Sequence, residues 1–461
     1  MINSNWLKAS YKFWLLVCFL SVVFFTGGSA RSDVMSLAIL RPMAIAVCGI
    51  AIWTTKLDQI RSHAPLISIL VGVFVLVAVS LIPVPDSITT NLSGHNILTN
   101  IDNITGIGHI WRPFSMSPET TLNALFSLSI PLGVVLLCIQ LNREEIFLLL
   151  PILIFFGLLS GCWGLLQAMG ESGGLLYLYR ITNDGSAVGL FANRNHQAVM
   201  LASLFPMLTV YSSVGIKTVE QFKRKTIVAL SVGVVLIPLL LVTGSRAGLV
   251  VGLLALLSIG LLYRKPRIDV PHKRMKRKFD PIYVAGAFGV ALVAAITILM
   301  SRAQSFDRIL LGTQSDDIRW KIWQPVFEAA GQYFPFGSGA GSFVPVYQIH
   351  EPLSLLGLYY RNQAHNDVLD LYLASGLLGF LLLVAFLAIV ARSTINAFRQ
   401  KLDGRREIVF RRLGAIIIAI YGISSMADYP LRAPASVVLF SIALIWLCKN
   451  YTEQPNNAGS V

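Results

Sequence analysis

The sequence predicts an all-α polytopic membrane protein. It reads as a single integral membrane domain over 1–461, with about twelve transmembrane helices and a large, partly helical loop on the outer side. Three observations carry that expectation. The chain is 55% hydrophobic and only 13% charged, with a mean hydropathy of +0.68. Apolar runs of about 20 residues, the length at which a helix crosses the hydrocarbon, recur from end to end. Lys and Arg gather in the short connectors between those runs, which is how a membrane protein encodes its orientation.

Taken in order, the expected spans lie near 12–27, 34–54, 66–83, 120–140, 146–168, 196–214, 226–242, 247–263, 281–300, 366–391, 412–427 and 433–449. The first is followed by Thr26-Gly27-Gly28-Ser29-Ala30, which has the look of a signal-peptide cleavage site. A retained helix is the better reading, because further spans follow. With the N-terminus in the cytoplasm, about two-thirds of the 37 Lys and Arg fall on the inside, while Arg41 lies within a span. The basic runs, such as Lys273 to Lys278, then serve orientation and contact with anionic lipid. The net charge of +14 is accordingly read as topology, not as a nucleic-acid surface. All five cysteines sit in apolar runs without metal-ligand or disulfide spacing.

Three outer segments exceed what a connection needs: 84–119, 169–195 and 301–365. The last, between the ninth and tenth spans, is rich in aromatics and glycine and is expected to fold. Within it Ile318, Ile322 and Val326 recur at helical spacing beside Trp320, Trp323 and Phe327, predicting an amphipathic helix at the membrane surface. His95 and His109 are expected at the surface, and His196 is expected to act structurally.

The chemistry-bearing residues collect at the outer ends of spans. Asn193-Arg194-Asn195-His196 opens the sixth span, Ser245-Arg246 the eighth, and Arg361-Asn362-Gln363-Ala364-His365-Asn366 the tenth; Asp428 to Arg432 precedes the twelfth. These four helices begin on the outer side, so their positive dipole ends and free N–H groups face it. Arg194, Arg246, Arg319, Arg361 and Arg432 add charge that never titrates and fits phosphate oxygens two at a time. A diphosphate is the ligand this suits. Asp428 is expected to pair with Arg432, four residues on. Gly337, Gly339 and Gly341 either shape a turn or offer N–H groups to phosphate. At about 100° per residue, Gly376 falls below His365 on one face, with Tyr372 between them. Gly376 and Gly379 then open a groove, for close helix packing or for a lipid tail. No Asp-x-Asp, P-loop, GxSxG or HExxH pattern occurs. Charge on a leaving group must therefore be met by arginines and helix ends, with no metal and no cofactor.

These motifs resemble those of the O-antigen ligase and polysaccharide polymerase superfamily. The likeness rests on His365-Asn366, then nine residues to Gly376-x-x-Gly379; on 189–196; on Thr243-Gly244-Ser245-Arg246; on Arg319 with Trp323; and on Gly337-x-Gly339-x-Gly341-x-Phe343. It covers roughly 186–435. The resemblance implies a metal-independent membrane glycosyltransferase of the GT-C type in the bacterial inner membrane, acting at the periplasmic face. Its donor would be an undecaprenyl-diphosphate-linked glycan. The acceptor would be lipid A–core in a ligase, another lipid-linked repeat in a polymerase, or a protein hydroxyl in a related branch. It further implies that His365 is catalytic and that Arg246, Arg319 and Arg194 bind the diphosphate. Asn366, Asn193, Asn195 and Arg361 are read as supporting residues. A lipid-glycan flippase is the alternative from another class. It predicts charged residues at mid-membrane and broken helices.

Overall fold

The computed structural model describes residues 8–108, 110–263, 314–357, 360–402 and 405–449, with the side chains of 314–319 outside that description. The expected ninth span at 281–300, His109 and the basic run Lys273 to Lys278 all lie outside the described residues. The other eleven expected spans are helices. Six helices are long and apolar enough to cross a membrane. They are α2 (Leu37–Thr54), the pair α4 (Pro118–Ser127) and α5 (Ser129–Gln140), α6 (Arg143–Met169), α8 (Val219–Val242), α12 (Asp367–Arg399) and α13 (Arg406–Ser425). Shorter apolar helices accompany them: α1 (Tyr11–Thr26), α3 (Ala64–Val79), α9 (Arg246–Leu257) and α14 (Pro434–Cys448). The fold is that of an all-α multi-pass membrane protein. Among the described residues the only strands are Pro83–Val84 and Arg112–Pro113, a two-residue antiparallel ladder that closes one loop.

The bundle is built around α7 (Arg194–Ser213), which packs on α6, α8, α9 and α13. Nearly every residue of α7 is buried, including Asn195, His196 and Gln197. Its polar first turn keeps it out of the strongly apolar set, and that turn faces protein. Gln197 accepts a hydrogen bond from Ser160 of α6 at 2.5 Å. In hydrocarbon no water is available to satisfy such groups, so a neighbouring helix must do it. Helix α14 is likewise buried on every side, whereas α2 buries one stripe and leaves its opposite face apolar and exposed. In α2, Leu37, Leu40, Ala44, Val47, Cys48 and Ala51 are buried, whereas Ile39, Ile45, Ile50 and Ile52 are exposed. The five cysteines are free thiols.

The described part of the segment before α12, from residue 314, is folded, as its composition suggests. Helix α10 (Gln314–Gln332) and helix α11 (Phe343–His350) form a second apolar cluster with the start of α12. Ile322, Val326 and Tyr333 are fully buried there, while Trp320 and Phe327 stay exposed. The predicted amphipathic helix therefore exists: Ile322 and Val326 pack on protein, Trp323 is half-buried against the same cluster, and Trp320 and Phe327 are exposed.

Helix α12 departs from the sequence expectation. It is broken at Gly376, whose backbone (φ 52°, ψ −137°) is one that residues with a Cβ rarely adopt. The projection that stacks Gly376 beneath His365 fails for this reason, and because the helix begins only at Asp367. Nor is the gap open to a lipid tail. The glycine-rich loop fills it: Leu377 N donates to Pro335 O at 2.8 Å, Ser338 N to Leu373 O at 2.8 Å and Gly339 N to Ala374 O at 2.9 Å. A Cβ on Gly376 would meet the Pro335 carbonyl, and one on Gly337 would meet the backbone of Ala374 and Ser375 at 2.6 Å. Tyr372 stacks on Phe327 of α10 at 5.8 Å, and Gly379 is buried one turn past the break. Two carbonyls and one N–H that the helix break frees are thus met by a docked loop.

Candidate active site

Three helix N-termini meet at one end of the bundle, and each is fixed by its own cap. Asn193 Oδ1 accepts from Asn195 N at α7, and Ser245 Oγ accepts from Gly248 N at α9. Asn366 Oδ1 accepts from Val368 N and Leu369 N at α12. Asn, Ser and Asp are strong caps because a short side-chain oxygen reaches the orphan donors of the first turn. Asn193 and Asn366 are therefore positioned by capping, and Asn366 also donates to Met426 O at 3.3 Å.

A chain of side chains then ties the three ends together. His365 Nδ1 lies 3.2 Å from Asp428 Oδ1, and Asp428 is fully buried. Asp428 Oδ2 accepts from Asn195 Nδ2 at 2.5 Å, and Oδ1 accepts from Tyr429 N at 3.0 Å. Asn195 Oδ1 in turn accepts from Ser245 Oγ at 2.8 Å. Arg194 precedes Asn195 and Arg246 follows Ser245, so the same chain brings both arginines to the His365 end. Arg246 is exposed and Arg194 half-buried. Arg361 is half-buried on the loop before His365. The side chain of Arg319 lies outside the described residues, although its backbone belongs to α10.

The histidine is held in an unusual backbone state. His365 has φ +53°, and it is the one non-glycine residue with positive φ among the described residues. Such strain persists only where neighbours over-determine it. Here Trp323 Nε1 donates to Ala364 O at 3.1 Å, and Ala364 N donates to Asp370 Oδ1 at 3.3 Å. The ring packs edge-on against Tyr429 at 4.9 Å, and Tyr429 packs against His196 at 5.3 Å. An ionised carboxylate only accepts, so the ring nitrogen facing Asp428 carries its hydrogen. That leaves Nε2 with its lone pair, and among the described residues it makes no hydrogen bond. The arrangement is an imidazole with one nitrogen tethered by a buried carboxylate.

Several sequence expectations change. Asp428 does not pair with Arg432. Arg432 instead faces Asp367 Oδ1 at 3.5 Å and Asp370 Oδ2 at 4.0 Å, two carboxylates on the first turn of α12. Asp428 is reached by residues 63 and 233 positions away in the chain, which no local spacing reveals. His95 is buried, not superficial; its ring nitrogens lie 2.9 Å from Phe114 O and 3.1 Å from Ser93 O. Of the glycine-rich loop, Gly337 and Gly339 use their N–H groups on Tyr333 O and Ala374 O, so those two donors are committed to the fold. Among the described residues no cluster of three or more His, Cys, Asp or Glu is placed to hold a metal.

A family model described as O-antigen ligase matches residues 231–384. This stretch is similar to the O-antigen ligase family. It takes in Ser245, Arg246, the glycine-rich loop, His365 and the break at Gly376. The match supports glycosyltransferase chemistry of the O-antigen ligase or polymerase kind, on lipid-linked glycans in general. Asn195 and Asp428, which complete the chain to His365, lie on either side of the matched stretch. No curated protein matches the chain.

Proposed function

We propose that this protein transfers a glycan from undecaprenyl diphosphate to an acceptor hydroxyl at the periplasmic face of the bacterial inner membrane. The hydrogen-bonded chain from His365 through Asp428 and Asn195 to Ser245 carries this reading. It unites a tethered imidazole with two arginines at helix N-termini, the parts that a base-assisted displacement of a diphosphate requires.

The step balances as follows. The acceptor oxygen attacks the anomeric carbon while its proton passes to His365 Nε2. The bond between that carbon and the phosphate oxygen breaks, and its electron pair leaves on the lipid diphosphate. Arg194 and Arg246, with Arg319 as a third, hold that diphosphate and meet the developing charge. Attack opposite the leaving group inverts the anomeric carbon. Asp428 is a positioning residue, since it holds Nδ1–H and stabilises the imidazolium that forms. The acceptor distinguishes the uses of one chemistry: lipid A–core for a ligase, a lipid-linked repeat for a polymerase, a protein hydroxyl for an oligosaccharyltransferase. Flippases break helices to line a cavity; the break in α12 is closed by protein backbone, which favours the enzyme.

Purified protein in proteoliposomes, given a synthetic undecaprenyl-diphosphate glycan and phosphorylated lipid A–core, tests the proposal. Mass spectrometry should find the glycan on the acceptor and free undecaprenyl diphosphate in equal amount. Arg246→Ala should raise the donor KM and lower kcat/KM by roughly 10²-fold. Donor recovered intact, merely moved between leaflets, would overturn the reading.

A further inference from the structure

Arg41 is the fifth residue of α2, about 6 Å along the helix from its start. A guanidinium inside an apolar span is costly unless something offsets its charge, and it then marks a site. Its partners here are neutral. Nη1 donates to Asn123 Oδ1 at 2.9 Å and Nε to Ser127 Oγ at 3.2 Å. Among the described residues no carboxylate pairs with it. Arg41 lines a cavity of about 430 Å³ between the start of α2 and α4. Ala38, Pro42, Ile45 and Phe126 of its lining are exposed on the outside of the bundle. The cavity therefore opens sideways, where lipid lies against the protein.

Its rim leads to the active site. Asp33, the acidic residue of the lining, is engaged by Arg31 in two hydrogen bonds, at 2.9 and 2.6 Å, so its charge is met away from Arg41. Arg31 also donates to Tyr360 Oη and lies 5.4 Å from that ring's centre. Tyr360 is five residues before His365, which puts their Cα atoms within about 18 Å of each other. The loop between α1 and α2 is pinned to the same end: Ala192 N donates to Gly28 O at 3.1 Å.

We propose that this cavity seats the phosphate-bearing headgroup of the acceptor lipid, with Arg41 as its cation and the apolar wall of α2 beside its chains. A phosphorylated lipid matches both halves of the surface. Its net-anionic phosphate supplies the charge that Arg41 lacks, which a zwitterionic headgroup neutralises internally, and its chains run along faces already exposed on the outside of the bundle. The headgroup then projects over the 27–33 loop toward His365. The acceptor role rests on the transfer reaction proposed above, whereas the lipid site does not.

The experiment separates the two. Full-length protein in nanodiscs of mixed phosphatidylglycerol and phosphatidylcholine is analysed by native mass spectrometry for retained lipid. Wild type should retain phosphatidylglycerol roughly tenfold over phosphatidylcholine. Arg41→Lys, which keeps the charge, should retain that preference, and Arg41→Gln, which keeps hydrogen bonding only, should lose it. Arg246→Ala should leave it intact. Equal retention in wild type, a preference surviving Arg41→Gln, or its loss in Arg246→Ala would each overturn the site. So would inorganic phosphate displacing the lipid completely at equal concentration, because the chains would then add nothing. In the transfer assay, Arg41→Gln should raise the KM for phosphorylated lipid A–core at least tenfold with an unchanged donor KM. Lipid selectivity without that kinetic split would overturn the acceptor role alone.

Discussion

At the scale of single residues, the site depends on how Asp428 is spent. It has no exposed surface and accepts from His365 Nδ1, Asn195 Nδ2 and Tyr429 N. A carboxylate so placed fixes which imidazole nitrogen carries hydrogen. Asp428→Asn presents an amide whose NH₂ can face Nδ1 and reverse that assignment, leaving Nε2 protonated and useless as a base. The expected outcome is a kcat lowered by about 10²–10⁴-fold, the range for loss of general-base assistance, with the donor KM within about twofold. A steady-state comparison of kcat with KM checks it; an unchanged kcat would remove Asp428 from the mechanism. Asn195→Ala should act in the same direction and more weakly, because it loosens Asp428 without removing the charge. His365 stands out in the sequence by the asparagine that follows it and by its spacing to Gly376-x-x-Gly379. Asp428 was visible as a residue but its partner was not. Arg432 offers a local partner four positions on, while the true contacts come from distant segments.

At the scale of elements, the break in α12 joins the 314–366 segment to the membrane bundle. Gly376 accommodates a backbone that costs other residues about 1–3 kcal/mol, and the Pro335 carbonyl occupies the space a Cβ would need. Gly376→Val should therefore release the glycine-rich loop and destabilise α10 and α11 by at least ~2 kcal/mol. Limited proteolysis should then cut between 351 and 363 several-fold faster than in wild type. Equal cleavage rates would show that the loop is held by other contacts. Periodicity gave the helices, because apolar length is a strong signal. It missed the break, because one glycine in an apolar run reads equally as a packing site. It also misassigned the groove, since backbone docking from 35 to 42 residues away leaves no mark in local composition.

At the scale of the whole molecule, the described charges divide between the two ends. Arg31, Arg194, Arg246, Arg361 and His365 cluster at one. At the other, Lys449 Nζ donates to Cys138 O and Leu141 O at the end of α5, and Arg406 pairs with Glu144 at 3.0 Å. By the positive-inside rule the Lys449 end is expected in the cytoplasm. In a background lacking the native cysteines, Ser354→Cys should react with a membrane-impermeant maleimide from outside, and Lys401→Cys only after permeabilisation. The reverse pattern would put the site on the wrong side for a periplasmic transferase. Both side chains are exposed, so accessibility alone decides the result.

The most direct test of the account is transfer by His365→Ala at saturating donor, with donor binding measured in parallel. The account predicts bound donor at wild-type affinity and transfer reduced by at least about 10²-fold, because the arginines still grip the diphosphate while no base accepts the hydroxyl proton. Transfer at the wild-type rate, with donor binding intact, would contradict it.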